Sequence, residues 1–202
     1  MNLKDTYKLL ERNKYYIFSL QDLLSFYPDQ KRPALKKLLY SWKKNGSISY
    51  LKKGLYELTY PDDFVIPDMH IANKLYSPSY VSLETALSKF GIIPEVSMAV
   101  TSVTTKPTRK FKNKHGLFIY HSVRPKAFCG YYVERQGIFE MLIAEPEKAL
   151  VDYLYFKTYR SQKFDPQQER LDKDRVFGLN KKKLKEYAQL YGINLKEFYA
   201  RL

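Results

Sequence analysis

Residues 80–111, YVSLETALSKFGIIPEVSMAVTSVTTKPTRKF, constrain the fold more than any other stretch. Leu83, Ala86, Leu87 and Phe90 recur at helical spacing, so a helix is expected to open on Ser82 and close at Gly91. Residues 96–103 then read as a strand that spills into a threonine- and lysine-rich segment ending at Arg109 and Lys110. Leu83, Ala86, Leu87, Phe90, Ile92 and Val100 are the core this stretch would supply. The chain before it has the pattern of a small separate module, and the chain after it completes a second domain.

Composition narrows the class of protein. The 202 residues are 45% hydrophobic, enough for a packed core and against disorder. A formal charge of +14 and a pI near 9.6 favour a polyanionic partner, of which nucleic acid is the commonest. The start Met1-Asn2-Leu3-Lys4-Asp5 has no apolar signal region, and no run reaches the roughly 20 apolar residues a membrane span requires. A single cysteine, Cys129, leaves no internal disulfide and no cysteine-based zinc site. A cytoplasmic protein with no membrane partner, metal or cofactor is expected.

Residues 1–60 read as three helices and a hairpin. Asn2 or Asp5 caps a first helix, with Tyr7, Leu10 and Leu3 on one face and an end near Asn13. Ser19 caps a short second helix, and Asp22 stands where a capping box needs its acid. After the turn at Tyr27-Pro28-Asp29, Pro33 suits the first turn of a third helix whose Leu35, Leu38, Leu39 and Trp42 form a buried stripe. Asn45-Gly46 ends it, and two short strands follow around Lys52-Lys53-Gly54. This order matches a winged helix-turn-helix, whose third helix enters the major groove while its wing follows the phosphates. The outward residues are Gln30, Lys31, Arg32, Lys36, Lys37, Tyr40, Lys43 and Lys44, with Lys52 and Lys53 at the wing tip. Lysines suit phosphates, and Arg32, Gln30 and Tyr40 are the candidates for reading bases.

Residues 61–67, rich in proline and aspartate, read as a semi-rigid linker, and 68–202 as an α+β domain with a small mixed or antiparallel sheet and terminal helices. A helix is expected over 68–75, a hairpin over 110–123, strands over 128–133 and 138–144, and a helix opening at Glu145-Pro146-Glu147. The tail from Asp165 reads as helices, one ending at Gly178, one capped by Asn180 and one by Asn194.

Two further groups of residues bear on function. Between residues 97 and 133 there is no acid, while Lys106, Arg109, Lys110, Lys112, Lys114, Arg124 and Lys126 accumulate. This second basic surface is a solvated face, a contact for flanking DNA, or a face for an acidic protein or RNA. Thr101, Thr104, Thr105 and Thr108 fit a strand edge offering hydroxyls to phosphate. The most catalytic-looking cluster is Glu145, Glu147, Lys148 and Asp152, the basis of an alternative reading as a nuclease with a winged-helix targeting module. Helix-terminal acids and an i, i+4 ion pair explain the same residues without catalysis. His70, His115 and His121 are scattered, and only the last two could share a hairpin, where they have no acidic or cysteine neighbours in sequence. Cys129 has no base partner and reads as a small core residue.

The strings YVSLETALSKFGIIPE and SVTTKPTRKF, followed by LIAEPEKALVDYLY, resemble the AbiEi family. The amino-terminal KKLLYSWKKNGSISYLKKGLYEL resembles the winged-helix module of the same proteins. These are the antitoxin and transcriptional-repressor half of the bacterial AbiE (type IV) toxin–antitoxin system. The resemblance implies a non-enzymatic repressor that binds inverted repeats in its own promoter through residues 31–44 and 52–54. It also implies a carboxy-terminal domain that counteracts a nucleotidyltransferase-like toxin.

Overall fold

A computed structural model of the chain describes residues 2–59, 65–94, 98–160 and 169–202. Local chemistry sets the amino-terminal elements. In α1 (Leu3–Arg12) the Asn2 side chain caps the helix by accepting the Asp5 amide at 2.8 Å. The short α2 (Leu20–Phe26) opens on a complete capping box, with Ser19 and Asp22 each accepting the other's backbone N–H. Pro33 lies in the first turn of α3 (Arg32–Lys44), whose Leu35, Leu39 and Trp42 are buried and whose Leu38 is half-buried. A hairpin of β2 (Ile48–Lys52) and β3 (Leu55–Leu58) follows, turning at Gly54, whose φ of 80° suits a residue without a Cβ.

One strand here was not expected. Residues Ile17–Ser19 form β1, which pairs antiparallel with β3 and gives a three-stranded sheet ordered β1-β3-β2. The aromatic and β-branched run Tyr15-Tyr16-Ile17-Phe18 was the available signal. Phe18, Leu23, Leu35 and Leu51 are fully buried where the helices meet this sheet.

The carboxy-terminal part is α+β around a six-stranded mixed sheet. In chain order it contains α4 (Asp68–Leu75), β4 (Ser79–Val81), α5 (Leu83–Lys89), β5 (Ala99–Thr104), β6 (Arg109–Asn113) and β7 (Gly116–Ser122). A 3-10 turn at 125–127 leads to β8 (Tyr131–Gln136), β9 (Phe139–Ala144), α6 (Pro146–Arg160), α7 (Lys173–Phe177), α8 (Lys181–Tyr191) and α9 (Leu195–Arg201). The strand order is β6-β7-β5-β4-β9-β8, with β5/β7 and β4/β9 parallel and the other pairs antiparallel. Side chains alternate across the strands. Tyr120 of β7 reaches α4, donating to the Ala72 carbonyl at 2.6 Å, whereas neighbouring His121 packs against Phe156 of α6. Thus α4 covers one face and α5 and α6 the other. Asn73 of α4 fills the fork where β4 and β9 separate, accepting the Leu142 amide at 2.7 Å and donating to the Ser79 carbonyl at 3.2 Å.

Several expected boundaries shift. The strand expected over 96–103 begins at Ala99, residues 95–97 lying outside the described set. Another, expected over 128–133, begins at Tyr131. Gly130 takes a left-handed φ of 72° and abuts the Tyr187 ring, so the chain is not extended before it. β4 at the sheet centre was missed, because three residues between a proline and a helix cap carry no period of their own. Ser82 does precede α5, but its hydroxyl makes no cap and donates instead to Asp152 at 2.9 Å. Phe90 and Val100 are half-buried, while Leu83, Ala86, Leu87 and Ile92 are in the core as expected. The expected linker falls largely on residues 60–64, outside the described set, although Ile66 is buried. Residues 161–168, which include the start of the helical tail expected from Asp165, also lie outside it.

Candidate nucleic-acid interface

The clearest display of charge is on α3. Its apolar stripe fixes the helix against the core, so the remaining positions face solvent. Lys31, Arg32, Lys36, Lys37, Lys43 and Lys44 are all exposed, and the helix contains no acid. Tyr40 stands on the same face with 71% of its surface exposed, unusual for a large aromatic residue. Lys43 Nζ lies 4.5 Å from the Tyr50 ring centroid, which carries the positive face onto β2. Gln30 is placed differently from the others. It is half-buried in the turn before the helix, its backbone N–H donating to the Tyr27 carbonyl at 3.1 Å.

The hairpin departs from the sequence reading. Lys53 is exposed at the turn, but Lys52 is not a free tip residue. Its amine donates to the Leu75 carbonyl at the end of α4 and lies 5.5 Å from the Phe111 ring of β6. The hairpin is docked onto the second sheet at this point, and Asn113 Nδ2 donates to the Leu51 carbonyl at 3.4 Å alongside. An acidic clasp completes the docking. Glu57 of β3 is 3% exposed and accepts hydrogen bonds from Lys114 and from His115 Nε2, the latter at 2.6 Å. His115 Nδ1 is also 3.7 Å from Asp68. His115 therefore has two acidic neighbours, which sequence distance concealed. Burial alone would raise the Glu57 carboxyl, but the bonds from His115 and Lys114 outweigh it and hold it below its ordinary value.

Docking divides the second basic region. Because β6 alternates, Arg109, Phe111 and Asn113 face α4 and the hairpin, whereas Lys110 and Lys112 point to the opposite face. Arg109 lies 5.8 Å from the Tyr76 ring and 5.9 Å from the Phe111 ring. Lys106 donates to the Ser77 carbonyl and stands 5.4 Å from the same Tyr76 ring. Lys52, Lys106 and Arg109 thus gather around two aromatic rings. On the other face, Lys110 borders a cavity of about 470 Å³ together with Ile119, His121 and Phe156. Arg124 and Lys126 belong to neither group, bordering a different cavity beside Tyr155 and Tyr191. Lys114 is spent on Glu57.

Two expectations are corrected here. β5 is an interior strand between β7 and β4, so Thr101 and Thr104 are buried rather than edge residues. Their hydroxyls donate to the Ser82 and Pro78 carbonyls at 2.8 and 2.6 Å. Thr108 is exposed, with its hydroxyl oxygen accepting the Ser122 amide at 3.1 Å, and Thr105 is half-buried.

The residues of the nuclease reading are tied into packing. Lys148 and Asp152 form the expected i, i+4 ion pair, with both side chains 0% exposed. Asp152 Oδ2 accepts from Tyr80 at 3.0 Å and Ser82 at 2.9 Å, and Oδ1 accepts from Lys148 and from Tyr191 at 2.5 Å. Its lone pairs are filled by the protein itself. Glu145 accepts from Lys183 and Tyr187, both at 2.9 Å, and Glu147 accepts the Asn180 amide at 2.9 Å. Cys129 is half-buried, and burial pushes its thiol above the ordinary value, the opposite of an activated nucleophile. His70 donates to the Glu140 carbonyl at 2.7 Å. Among the described residues no three His, Cys, Asp or Glu side chains converge as a metal site requires. No helix among them is long and apolar enough to cross a membrane. No protein-family model and no curated protein matches the sequence.

Proposed function

We propose that the chain is a DNA-binding protein in which residues 1–60 act as a winged helix-turn-helix, with α3 as the recognition helix and the β2–β3 hairpin as the wing. The observation that carries this reading is α3 itself. One face is anchored by Leu35, Leu39 and Trp42, and the other presents Arg32, Lys36, Lys37, Tyr40, Lys43 and Lys44 to solvent without an acid among them. A surface lysine stripe alone serves solubility. Its combination with an exposed Tyr40 and an adjoining basic hairpin suits a duplex groove and its phosphates.

With the AbiEi resemblance, the reading becomes a cytoplasmic autorepressor and antitoxin. It has no catalytic activity of its own. Occupancy of promoter repeats by α3 blocks transcription sterically, and the carboxy-terminal domain counteracts a nucleotidyltransferase-like toxin. The test is a gel shift on the DNA preceding the chain's own gene, paired with growth rescue in cells expressing an adjacently encoded nucleotidyltransferase. Substituting Arg32, Lys36 and Lys37 by Ala is expected to abolish the shift and leave rescue intact. An unchanged shift, or loss of both activities in a folded variant, overturns the reading.

A further inference from the structure

We infer that β8 is an association edge, along which a second copy of this chain pairs antiparallel about a two-fold axis at Val133. The inference is independent of α3, since β8 lies at the opposite end of the carboxy-terminal sheet from the strand that meets the hairpin.

The two edges of that sheet are treated differently. A sheet edge offers unpaired N–H and C=O groups to any other strand, and proteins blunt such edges with charge, proline, bulges or a covering element. β6 has two of these protections. It carries Arg109, Lys110 and Lys112, and the hairpin is docked beside it, with Asn113 donating to the Leu51 carbonyl. β8 is left open. Its residues Tyr131–Gln136 include no lysine or proline and run in unbroken register with β9, from Tyr131 beside Ala144 to Gln136 beside Phe139. All but Glu134 are exposed, and Val133 keeps 52% of its surface. Tyr131, Tyr132 and Ile138 add further exposed apolar surface to the same hairpin. A regular apolar edge of this kind is a template for another strand.

Charge allows that strand to come from a second copy. The chain carries a formal charge of +14, so two copies repel each other over most approaches. β8 is an exception. Glu134 is paired with Lys89 at 2.9 Å, and Arg135 with Glu140 at 2.8 Å. Two copies can meet along this strand without bringing unmatched cations together.

Symmetry then fixes the register. A two-fold axis perpendicular to a sheet returns each face to itself, so the two strands pair symmetrically about one residue that faces its own copy. An axis at Glu134 or Arg135 opposes like charges directly, which is destabilising. An axis at Tyr132 leaves Glu134 and Arg135 beyond the ladder, because the left-handed Gly130 ends the strand. With the axis at Val133, valine meets valine, Tyr132 faces Glu134 of the second copy, and Tyr131 faces its Arg135. Tyr132 already donates to Glu134 within one chain at 3.2 Å, so donor and acceptor match again across the axis. Tyr131 is held by stacking on Tyr80, with ring centroids 4.8 Å apart, and offers a fixed ring to the guanidinium. A second copy makes each of these matches twice, which an unrelated strand does not.

The experiment is sedimentation equilibrium of the full chain over a concentration series reaching about 1 mM, because pairing along one edge buries less than the ~1,200 Å² of a standard interface and is weak. The wild-type chain is expected to move from 24.0 kDa toward twice that mass. Val133→Arg sets two cations face to face on the axis. It is expected to weaken association by about tenfold or more, with an unchanged melting temperature because the position is exposed. Register is checked with a short bifunctional maleimide in a Cys129→Ser background. Val133→Cys is expected to cross-link, since directly opposed Cβ atoms lie about 5 Å apart, whereas Arg135→Cys, roughly 14 Å from its own copy, is not. A wild-type chain that stays at 24.0 kDa throughout overturns the proposal, even if a different protein then pairs with β8. Equal association of Val133→Arg and wild type, or cross-linking of Arg135→Cys but not Val133→Cys, also overturns it. None of these results bears on the role of α3.

Discussion

Lysine does opposite work in two regions of this molecule. On α3 the lysines project from a helix that is already anchored by leucine and tryptophan, and nothing in the fold depends on them. In the carboxy-terminal part, Lys148 is fully buried under Tyr80 and Tyr191 and paired with Asp152. The first set is free to serve a ligand, and the second is committed to structure. Charge alone therefore marks neither function nor stability. What separates them is whether the cation's partner lies inside the protein.

That contrast is broken or sharpened by a ladder of substitutions read by thermal melting. The largest effect is expected for Lys148→Met. It strands the Asp152 carboxylate in the core and should cost about 3–5 kcal/mol, while the double variant Lys148→Met/Asp152→Leu should recover much of the loss. A change no larger than that of a surface lysine would contradict the buried pair. Glu57→Gln comes next. It leaves the Lys114 and His115 donors weakly matched at the docking clasp and should cost about 1–3 kcal/mol.

The pH dependence at the same site has a definite sign. The folded Glu57 carboxyl lies below its ordinary value. Its stabilisation is then full above the usual glutamate value of about 4.3 and is lost as the pH falls through the lower folded value. Acid should loosen the docking, and Glu57→Gln should remove that dependence, as seen by comparing melts across pH. The smallest effect is expected for Arg32, Lys36 and Lys37 replaced together by Ala: the melting temperature stays put while DNA binding is lost. A large drop in melting temperature would mean that α3's charges are structural too.

The parts of the fold that could be read from sequence were those governed by local chemistry. The Ser19–Asp22 capping box, the apolar stripe of α3 and the Gly54 turn are each decided within a few residues. The short strands β1 and β4 have no period in three residues and are strands by virtue of β3, β5 and β9 beside them, so only the aromatic and β-branched composition around β1 gave a local signal. The Lys148–Asp152 pair was legible but its burial was not, because i, i+4 spacing is the same inside and outside a protein. The split of the second basic region was partly readable. Phe111 between Lys110 and Lys112 already marks two faces of a strand. That Arg109 would meet Lys52 was not readable, since their apposition comes from docking over more than fifty positions of sequence.

The central claim is that a duplex lies along α3. It is tested most directly by titrating the isotope-labelled chain with the promoter duplex and following backbone amides by NMR. The account predicts shifts concentrated at Lys36, Lys37, Tyr40 and Lys43, with the amides of Lys148 and Asp152 unmoved. Shifts centred on α6 and α8, or none along α3, would contradict it.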